Sequence, residues 1–281
     1  MTLPQKFALD AFLQRVLAED LGSGGDVTSA ATIPANAQFS AEMNARQPIV
    51  VAGIEIAAAF FRKLDPDVEI RSFATDGGAV EKGATLLRLK GNAQAMLAAE
   101  RSALNTLQHL SGIATLTRRY VDAIAGTGAV LLDTRKTIPQ LRVLEKFAAR
   151  MGGAQNHRMR LDDGVLIKDN HVAVCGGVVE AVRSAKAART GLPVQVEIDR
   201  LDQIEPALAA GADRLLLDNM DPAELREAVR IVAGRVLLEA SGGVTLETIR
   251  FLAETGVNFI SVGRITQSAP AVDIGLDYSM A

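Results

Sequence analysis

Cysteine is almost absent from this sequence, which has one residue of this type, Cys175, among 281. A single thiol excludes an intrachain disulfide and any cysteine-rich zinc site, and it favours a reducing compartment. Because free cysteine is among the most buried residue types, we interpret Cys175 as a small core residue.

An excess of positive charge and a long apolar segment are also lacking. The formal net charge is −3, so charge does not suggest nucleic acid as a partner, and any anion-binding site must be local. The amino terminus has no basic segment followed by an apolar run. The stretch from Pro48 to Phe61 is interrupted by Glu55 and is too short to cross a bilayer. We therefore expect no signal peptide, no membrane contact and a cytoplasmic location.

The first third of the chain mixes helical and strand-like patterns, which is typical of a small α+β domain. The pattern predicts a helix over Leu9 to Leu21 and a strand over Thr85 to Leu89. Glycine pairs and runs mark turns at Gly22 to Gly25 and at Gly77 and Gly78. A long helical pattern follows from Met96 to Ala125, and we place a domain boundary near Ser111 and Gly112.

Beyond Gly128 the chain alternates short apolar runs with amphipathic stretches. The runs resemble buried parallel strands, and the repeated βα unit allows a closed barrel or an open doubly wound sheet. We favour a barrel with fewer than eight strands, because polar residues end nearly every run and neither G-x-G-x-x-G nor the P-loop motif occurs. The predicted strands are Ala129–Asp133, Gly164–Lys168, Val194–Glu197, Arg214–Asp218, Val236–Glu239 and Phe259–Val262.

Cations cluster at the ends of these predicted strands. Arg135 and Lys136 follow the first strand, His157 and Arg158 precede the second, and Lys168 ends it. Arginine suits a planar carboxylate, whereas lysine acts as a compact cation for phosphate. Together they indicate a site for a small, multiply charged anion, with His157 as a further donor to a carboxylate. We interpret His109 as structural, and His171 either binds a ligand or caps a turn.

Two carboxylates, Glu197 and Asp218, end later strands on the same side. Such a pair can hold magnesium or stabilise a developing positive charge, although it could instead only balance the nearby cations. Ser241, Gly242 and Gly243 precede a helix predicted to begin near Thr245, and Gly263 follows the last strand. These glycines suit a phosphate site built from backbone N–H groups, or else a plain turn.

Taken in order, these segments resemble the quinolinate phosphoribosyltransferase family, and the similarity runs nearly from end to end. The segments that carry it are Glu19–Thr28, Glu100–Asn105, Asp133–Thr137, Asn156–Met159, Leu166–His171, Leu217–Met220, Glu239–Gly243 and Ser268–Asp277.

The resemblance implies an α/β protein: an N-terminal α/β sandwich domain plus an incomplete, about six-stranded parallel α/β barrel. The expected division is residues 1–112, joined by the tail 270–281, and a catalytic barrel at 113–269. It also implies a homodimer, or a multiple of dimers, with shared active sites. The expected substrates are quinolinate and phosphoribosyl pyrophosphate, with Mg²⁺ as cofactor.

The resemblance also implies a role for each site residue. Arg135, His157 and Arg158 would hold the quinolinate carboxylates, with Arg101 contributed by the neighbouring subunit. The remaining assignments are Lys136 and Lys168 to pyrophosphate, Glu197 and Asp218 to ribose and magnesium, and Ser241, Gly242, Gly243 and Gly263 to the 5′-phosphate.

Four positions depart from the family pattern: Gln140, Arg160, Arg264 and Gln267. They leave two alternatives, a paralogous type II phosphoribosyltransferase with another substrate and a catalytically silent anion-binding protein. The complete runs Asn156–Arg158 and Ile167–His171 argue against the paralogue. Loss of Lys168, Glu197 or Asp218 would have favoured the silent protein, and all three are present.

Overall fold

The computed structural model describes residues 7–278. The chain divides into two compact units. The first comprises the residues up to Thr117, Val143–Gly153 and the residues from Ser268 onward, and the second comprises Arg118–Arg142 and Ala154–Gln267. No helix among the described residues is both long enough and apolar enough to span a membrane.

The first unit is built around an antiparallel four-stranded sheet. The strand order is β12 (Ile274–Tyr278), β1 (Gln38–Ala45), β5 (Thr85–Asn92) and β3 (Glu69–Ser72). Toward its end β1 buries every second residue, because successive side chains of a strand point to opposite faces and one face packs on the core. The elements are α1 (Leu9–Leu21), α2 (Val27–Thr32), β1 (Gln38–Ala45), β2 (Ile49–Val50), α3 (Ile54–Leu64), β3 (Glu69–Ser72), β4 (Ala79–Val80), β5 (Thr85–Asn92), α4 (Ala93–Ala123), α5 (Arg142–Gly152) and β12 (Ile274–Tyr278). The residues of α4 after Thr117 belong to the second unit. The predicted helix over Leu9 to Leu21, the strand at Thr85 and the long helix are confirmed.

The second unit contains a parallel sheet of six strands within the described residues. They are β6 (Val130–Leu132), β7 (Val165–Ile167), β8 (Val194–Ile198), β9 (Arg214–Asp218), β10 (Leu237–Ser241) and β11 (Phe259–Ser261). Their order is β6-β11-β10-β9-β8-β7, so the first strand pairs with the last and the sheet curls into a barrel open between β6 and β7. Each predicted apolar run forms one of these strands, and the predicted fold class is confirmed.

Helices connect the barrel strands, as the amphipathic stretches predict. They are α6 (Asp169–Cys175), α7 (Val178–Ala187), α8 (Ile204–Ala209), α9 (Pro222–Val232), α10 (Ile249–Ala253) and α11 (Arg264–Gln267). Two expectations are wrong. The helix predicted near Thr245 begins at Ile249, after a turn over residues 246–248. Cys175 is exposed rather than buried, because α6 buries none of its residues, all of which are described.

The observed division differs from the predicted one chiefly at α5, which belongs to the first unit rather than to the barrel. On α5, Glu145 is fully buried and lies 2.8 Å from His109 Nε2 of α4. Gly152 lets the two helices approach closely, since a Cβ there would lie 2.5 Å from the Ala114 carbonyl oxygen. His109 is therefore structural, as the sequence predicts.

We predict that Gly112→Ala destabilises the first unit. A Cβ at Gly112 would lie 2.2 Å from the Pro270 carbonyl oxygen, so the C-terminal segment must shift. The expected cost is about 2 kcal/mol, even though alanine is intrinsically better than glycine inside a helix by about 1 kcal/mol. The measurement is the urea midpoint of unfolding. Gly24→Ala is the matched control, because its Cβ would meet Val27 at an ordinary 3.9 Å. An increased midpoint for Gly112→Ala would contradict the close approach.

Candidate active site

A cavity of about 810 Å³ opens at the carboxyl ends of the barrel strands. Because parallel strands end at one edge of their sheet, they bring the polar residues that follow them into one place. The cavity is lined by the predicted site residues of this unit: Arg135, Lys136, His157, Arg158, Lys168, Glu197, Asp218, Ser241, Gly242, Gly243 and Gly263. Arg101 does not line it and is exposed on α4 of the first unit.

Asp133 at the end of β6 anchors the segment that carries His157 and Arg158. It is fully buried. Its carboxylate accepts hydrogen bonds from the His157 backbone N–H at 2.8 Å and from Asn156 Nδ2 at 2.5 Å. Gln155 forms an isolated parallel bridge with Leu132. Residues 155–157 therefore lie along the open side of the barrel, and a buried carboxylate sets their position.

The cationic side of the cavity holds donors that the protein does not satisfy. Arg135 Nε and His157 Nε2 are buried without a hydrogen-bond partner among residues 7–278. Burial lowers the pKa of Arg158, and the positive charge of Arg135 lowers it further. Buried donors and like charges without an anion are unfavourable. This side of the cavity is therefore suited to an anionic ligand.

The carboxylates occupy another part of the cavity. Lys168 Nζ lies 2.7 Å from Glu197 Oε2, so the expected charge balance is present for Glu197. Asp218 accepts a hydrogen bond from Asn219 Nδ2 at 2.6 Å. Burial raises the pKa of Asp218, and the negative charge of Glu197 raises it further. The two carboxylates thus repel one another, and a cation between them would relieve the repulsion.

Two glycine turns lie at the remaining side of the cavity. Gly242 has φ +98°, and a Cβ there would lie 2.8 Å from the Asn219 backbone nitrogen. At Gly263 a Cβ would lie 2.8 Å from Lys136 Cδ, so the lysine stem crosses directly over this glycine. Neighbouring atoms therefore crowd both positions, whereas a Cβ at Gly243 would meet nothing within 4 Å. The predicted help from a helix N-terminus at Thr245 is absent from this segment, which is described throughout, because α10 begins four residues later.

Sequence reasoning missed two polar residues below the cavity, Glu239 and Gln195. Glu239 lies in β10, lines the cavity and is 1% exposed. Gln195 Nε2 donates to Glu239 Oε2 at 2.8 Å. Burial raises the pKa of Glu239, but polar contacts led by the His157 ring outweigh burial and hold this pKa below its ordinary value. The available signal was a charged residue inside an otherwise apolar run, Leu237 to Ala240.

His171 takes the second of its two expected roles. Its Nδ1 accepts a hydrogen bond from the Lys168 backbone N–H at 3.0 Å, which caps the start of α6. The ring therefore helps to orient Lys168 at the cavity edge. Among the described residues, no group of three or more histidine, cysteine, aspartate and glutamate side chains could hold a metal ion.

Comparisons with known proteins agree on one family. The family models "Quinolinate phosphoribosyl transferase, N-terminal domain" and "C-terminal domain" match residues 26–111 and 113–277. The nicotinate-nucleotide pyrophosphorylase (carboxylating) of Mycobacterium leprae is 44% identical and covers 94% of this chain and 95% of its own. A crystal structure of nicotinate-nucleotide pyrophosphorylase from Ehrlichia chaffeensis has a TM-score of 0.94 at 39% identity, covering 98% of this chain and 100% of its own. The Francisella tularensis structure gives 0.92 at 38%, covering 96% of each chain.

We predict that Glu197→Gln lowers the pKa of Asp218, because the variant removes a like charge. Burial persists, so the pKa should stay above its ordinary value. The measurement is a carboxyl NMR titration. The folded protein binds the Asp218 proton more tightly than the unfolded chain does. Protonated Asp218 therefore stabilises the fold at pH values below the pKa that this carboxyl has in the unfolded chain. That stability is lost as the pH rises through the folded pKa, and Glu197→Gln should weaken the dependence. Asp213, paired with Lys186, is the internal control. An unchanged Asp218 pKa would show that the carboxylates do not interact.

Proposed function

The chain belongs to the quinolinate phosphoribosyl transferase family, and we propose that its barrel cavity joins quinolinate to phosphoribosyl pyrophosphate. The products are nicotinate mononucleotide, carbon dioxide and pyrophosphate, and the protein is a phosphoribosyltransferase of de novo NAD biosynthesis. The observation that carries the proposal is one cavity with three chemically distinct sides: unsatisfied cationic donors, a carboxylate pair with lysines, and glycine turns.

The cationic side suits the two carboxylates of quinolinate. Arg135 and Arg158 crowd their positive charges together, and each guanidinium can form two parallel hydrogen bonds with a carboxylate. His157 adds a donor at Nε2. A bound dicarboxylate would satisfy Arg135 Nε and offset the repulsion that lowers the pKa of Arg158.

The other two sides suit phosphoribosyl pyrophosphate. Lys136 and Lys168 would face the pyrophosphate as compact cations. Ser241, Gly242, Gly243 and Gly263 would bind the 5′-phosphate, with backbone N–H groups as donors. The Lys136 stem crosses Gly263, so the two phosphate regions adjoin. This contact would place the ribose between them.

Glu197 and Asp218 would hold magnesium, partly through oxygens of the substrate. Two carboxylates are too few for a complete site, but their mutual repulsion fits a cation that also binds phosphate oxygens. The ion, when bound, neutralises negative charge on the departing pyrophosphate.

In the reaction, the bond between ribose C1 and the pyrophosphate oxygen breaks, and the electron pair leaves with pyrophosphate. Glu197 and Asp218 stabilise the positive charge that develops on the ribose. The quinolinate ring nitrogen then donates its lone pair to C1. The carboxylate beside that nitrogen leaves as carbon dioxide, and the ring carbon takes a proton. Arg135 and Arg158 hold the ring so that its nitrogen meets C1, a positioning effect of roughly several kcal/mol.

We also propose a homodimer, or a multiple of dimers, in which each cavity uses a residue of the partner. Arg101 is exposed on α4 and does not line the cavity of its own chain. A cation there is available to a second copy. A cytoplasmic location is part of the same proposal and is supported by the single cysteine.

The test of the activity uses the purified protein with magnesium, phosphoribosyl pyrophosphate and either quinolinate or nicotinate. We expect turnover and carbon dioxide release with quinolinate alone. Turnover with nicotinate instead would identify a paralogue, and turnover with neither would indicate a silent binding protein.

The matched variants in this assay are Arg135→Ala and Arg160→Ala. Arg135→Ala should abolish quinolinate binding while the circular dichroism spectrum stays unchanged, because the residue follows a strand and lies outside the core. Arg160 is exposed, pairs with Asp162 and does not line the cavity, so its variant should behave as the wild type. An unchanged quinolinate affinity in Arg135→Ala would contradict the assignment.

Shared sites predict complementation between two inactive variants. In a mixed dimer of Arg101→Ala and Lys168→Ala chains, one cavity keeps both residues. Random mixing should therefore restore about one quarter of wild-type activity, since half of the dimers are mixed and one of their two cavities is complete. Lys168→Ala mixed with Glu197→Ala is the control, because every cavity then lacks one residue. No recovery in the first mixture would contradict sharing.

A further inference from the structure

A buried carboxylate, Glu239, lines the cavity and has no part in the mechanism derived above. Glu239 is 1% exposed. It lies in the middle of β10, where it pairs with Leu216 of β9 and Phe259 of β11. A buried charge is costly unless the surroundings compensate for it. A buried carboxylate inside this apolar strand therefore needs neighbouring groups that offset its cost.

Two side chains contact the same oxygen of Glu239. Gln195 Nε2 donates to Oε2 at 2.8 Å, and His157 Nε2 lies 3.3 Å from Oε2. The bond from Gln195 is well formed and fixes the carboxylate. The approach of His157 is close, but its geometry does not make a hydrogen bond. Glu239 thus acts on the imidazole by charge, and Nε2 stays buried without a well-formed hydrogen bond.

The other nitrogen of the His157 ring is already occupied. Nδ1 accepts a hydrogen bond from the Arg158 backbone N–H at 2.7 Å. An accepting nitrogen carries no proton, so the proton of the neutral ring is on Nε2. The negative charge of Glu239 favours the same arrangement, because it lies beside Nε2. The ring therefore carries a donor at Nε2, and a carboxylate that reaches this buried atom can accept its hydrogen bond.

We propose that Glu239 is a positioning residue for the reaction, which keeps His157 as an Nε2–H donor to a quinolinate carboxylate and is itself held by Gln195. The proposal rests on the proposed function. Without the charge of Glu239 the ring loses part of its preference for Nε2–H, and an imidazole that turned its lone pair to the cavity would repel a carboxylate.

The test compares Glu239→Gln with wild type. Glutamine can place its amide oxygen where Oε2 lies, so both contacts remain and only the charge is lost. We expect the KM for quinolinate to rise roughly tenfold, the size of one charge-assisted hydrogen bond. The KM for phosphoribosyl pyrophosphate and kcat should change less than about twofold, because the proposed function assigns His157 to a quinolinate carboxylate only.

The matched control is Glu145→Gln in the first unit. Glu145 is likewise a fully buried glutamate beside a histidine, His109, but it lies outside the cavity. Its variant should leave the KM for quinolinate unchanged. Equal effects of the two substitutions on KM would show a general effect of removing a buried charge and would overturn the proposal.

A double-mutant cycle with His157→Ala tests whether Glu239 acts through the imidazole. In the His157→Ala background, Glu239→Gln should have almost no further effect on the KM for quinolinate. A full tenfold effect in that background would mean that Glu239 acts by another route, and the proposal would be wrong.

The ring itself can be observed directly by ¹⁵N NMR, since the chain has three histidines. In wild type, we expect His157 to carry its proton on Nε2 and none on Nδ1. In Glu239→Gln the Nε2 signal should move, and part of the ring population should carry its proton on Nδ1. A proton on Nδ1 in wild type, or an unmoved Nε2 signal in the variant, would overturn the proposal.

If Glu239→Gln does not fold, Gln195→Met removes the supporting donor and should raise the KM for quinolinate by a smaller factor. No rise in a folded Gln195→Met would also contradict the proposal.

These readouts separate the two levels of inference. A wild-type protein without turnover on quinolinate would contradict the proposed function, whereas the NMR result would still report on the pair of Glu239 and His157. A wild-type protein that turns over quinolinate, with Glu239→Gln unchanged in KM and NMR signals, would contradict only the inference about Glu239.

Discussion

The second unit depends on how the chain fills the open side of its barrel. Six parallel strands leave a gap between β6 and β7, and the segment that follows α5 lies along it. Backbone contacts of Gln155 with β6 and the buried Asp133 carboxylate hold this segment. The same segment carries His157 and Arg158. The segment that lies along the gap in the barrel therefore also positions His157 and Arg158 in the cavity. A change in the path of this segment would move both residues.

The cavity brings like charges close together, and the net charge of the chain does not reveal this arrangement. The net charge of the chain is slightly negative, yet Arg135 and Arg158 lie close enough for one to lower the pKa of the other. In the same cavity, the negative charge of Glu197 raises the pKa of Asp218, which is the corresponding effect between two like negative charges. Both repulsions cost stability in the free protein, and both are relieved by ligands of opposite charge. This opposition is the physical reason why ligands of both signs would stabilise the cavity.

The sequence predicted the parts of the fold that follow from local pattern. The helix over Leu9 to Leu21 and the six strands were found because apolar residues recur at fixed intervals. Residues at strand ends, such as Glu197 and Asp218, were placed in one cavity because parallel strands end at one edge. Grouping of α5 with the first unit depends on contacts with α4, such as that between Glu145 and His109, which leave no periodic signal. The start of α10 was misjudged because glycine marks a turn without giving its length.

Two carboxylates to which the sequence analysis assigned no role, Asp133 and Glu239, share a different property. Both are buried within the second unit, and what each does depends on partners distant along the chain. The two buried pairs of glutamate and histidine show why residue type alone does not predict whether a histidine keeps a free hydrogen-bond donor. Glu145 meets His109 in a direct hydrogen bond at 2.8 Å, so that pair is complete. Glu239 approaches His157 at 3.3 Å without forming one, so that pair is incomplete. The same two residue types thus form a complete pair in the first unit and an incomplete pair in the second, and the difference lies in the geometry of a single N–H.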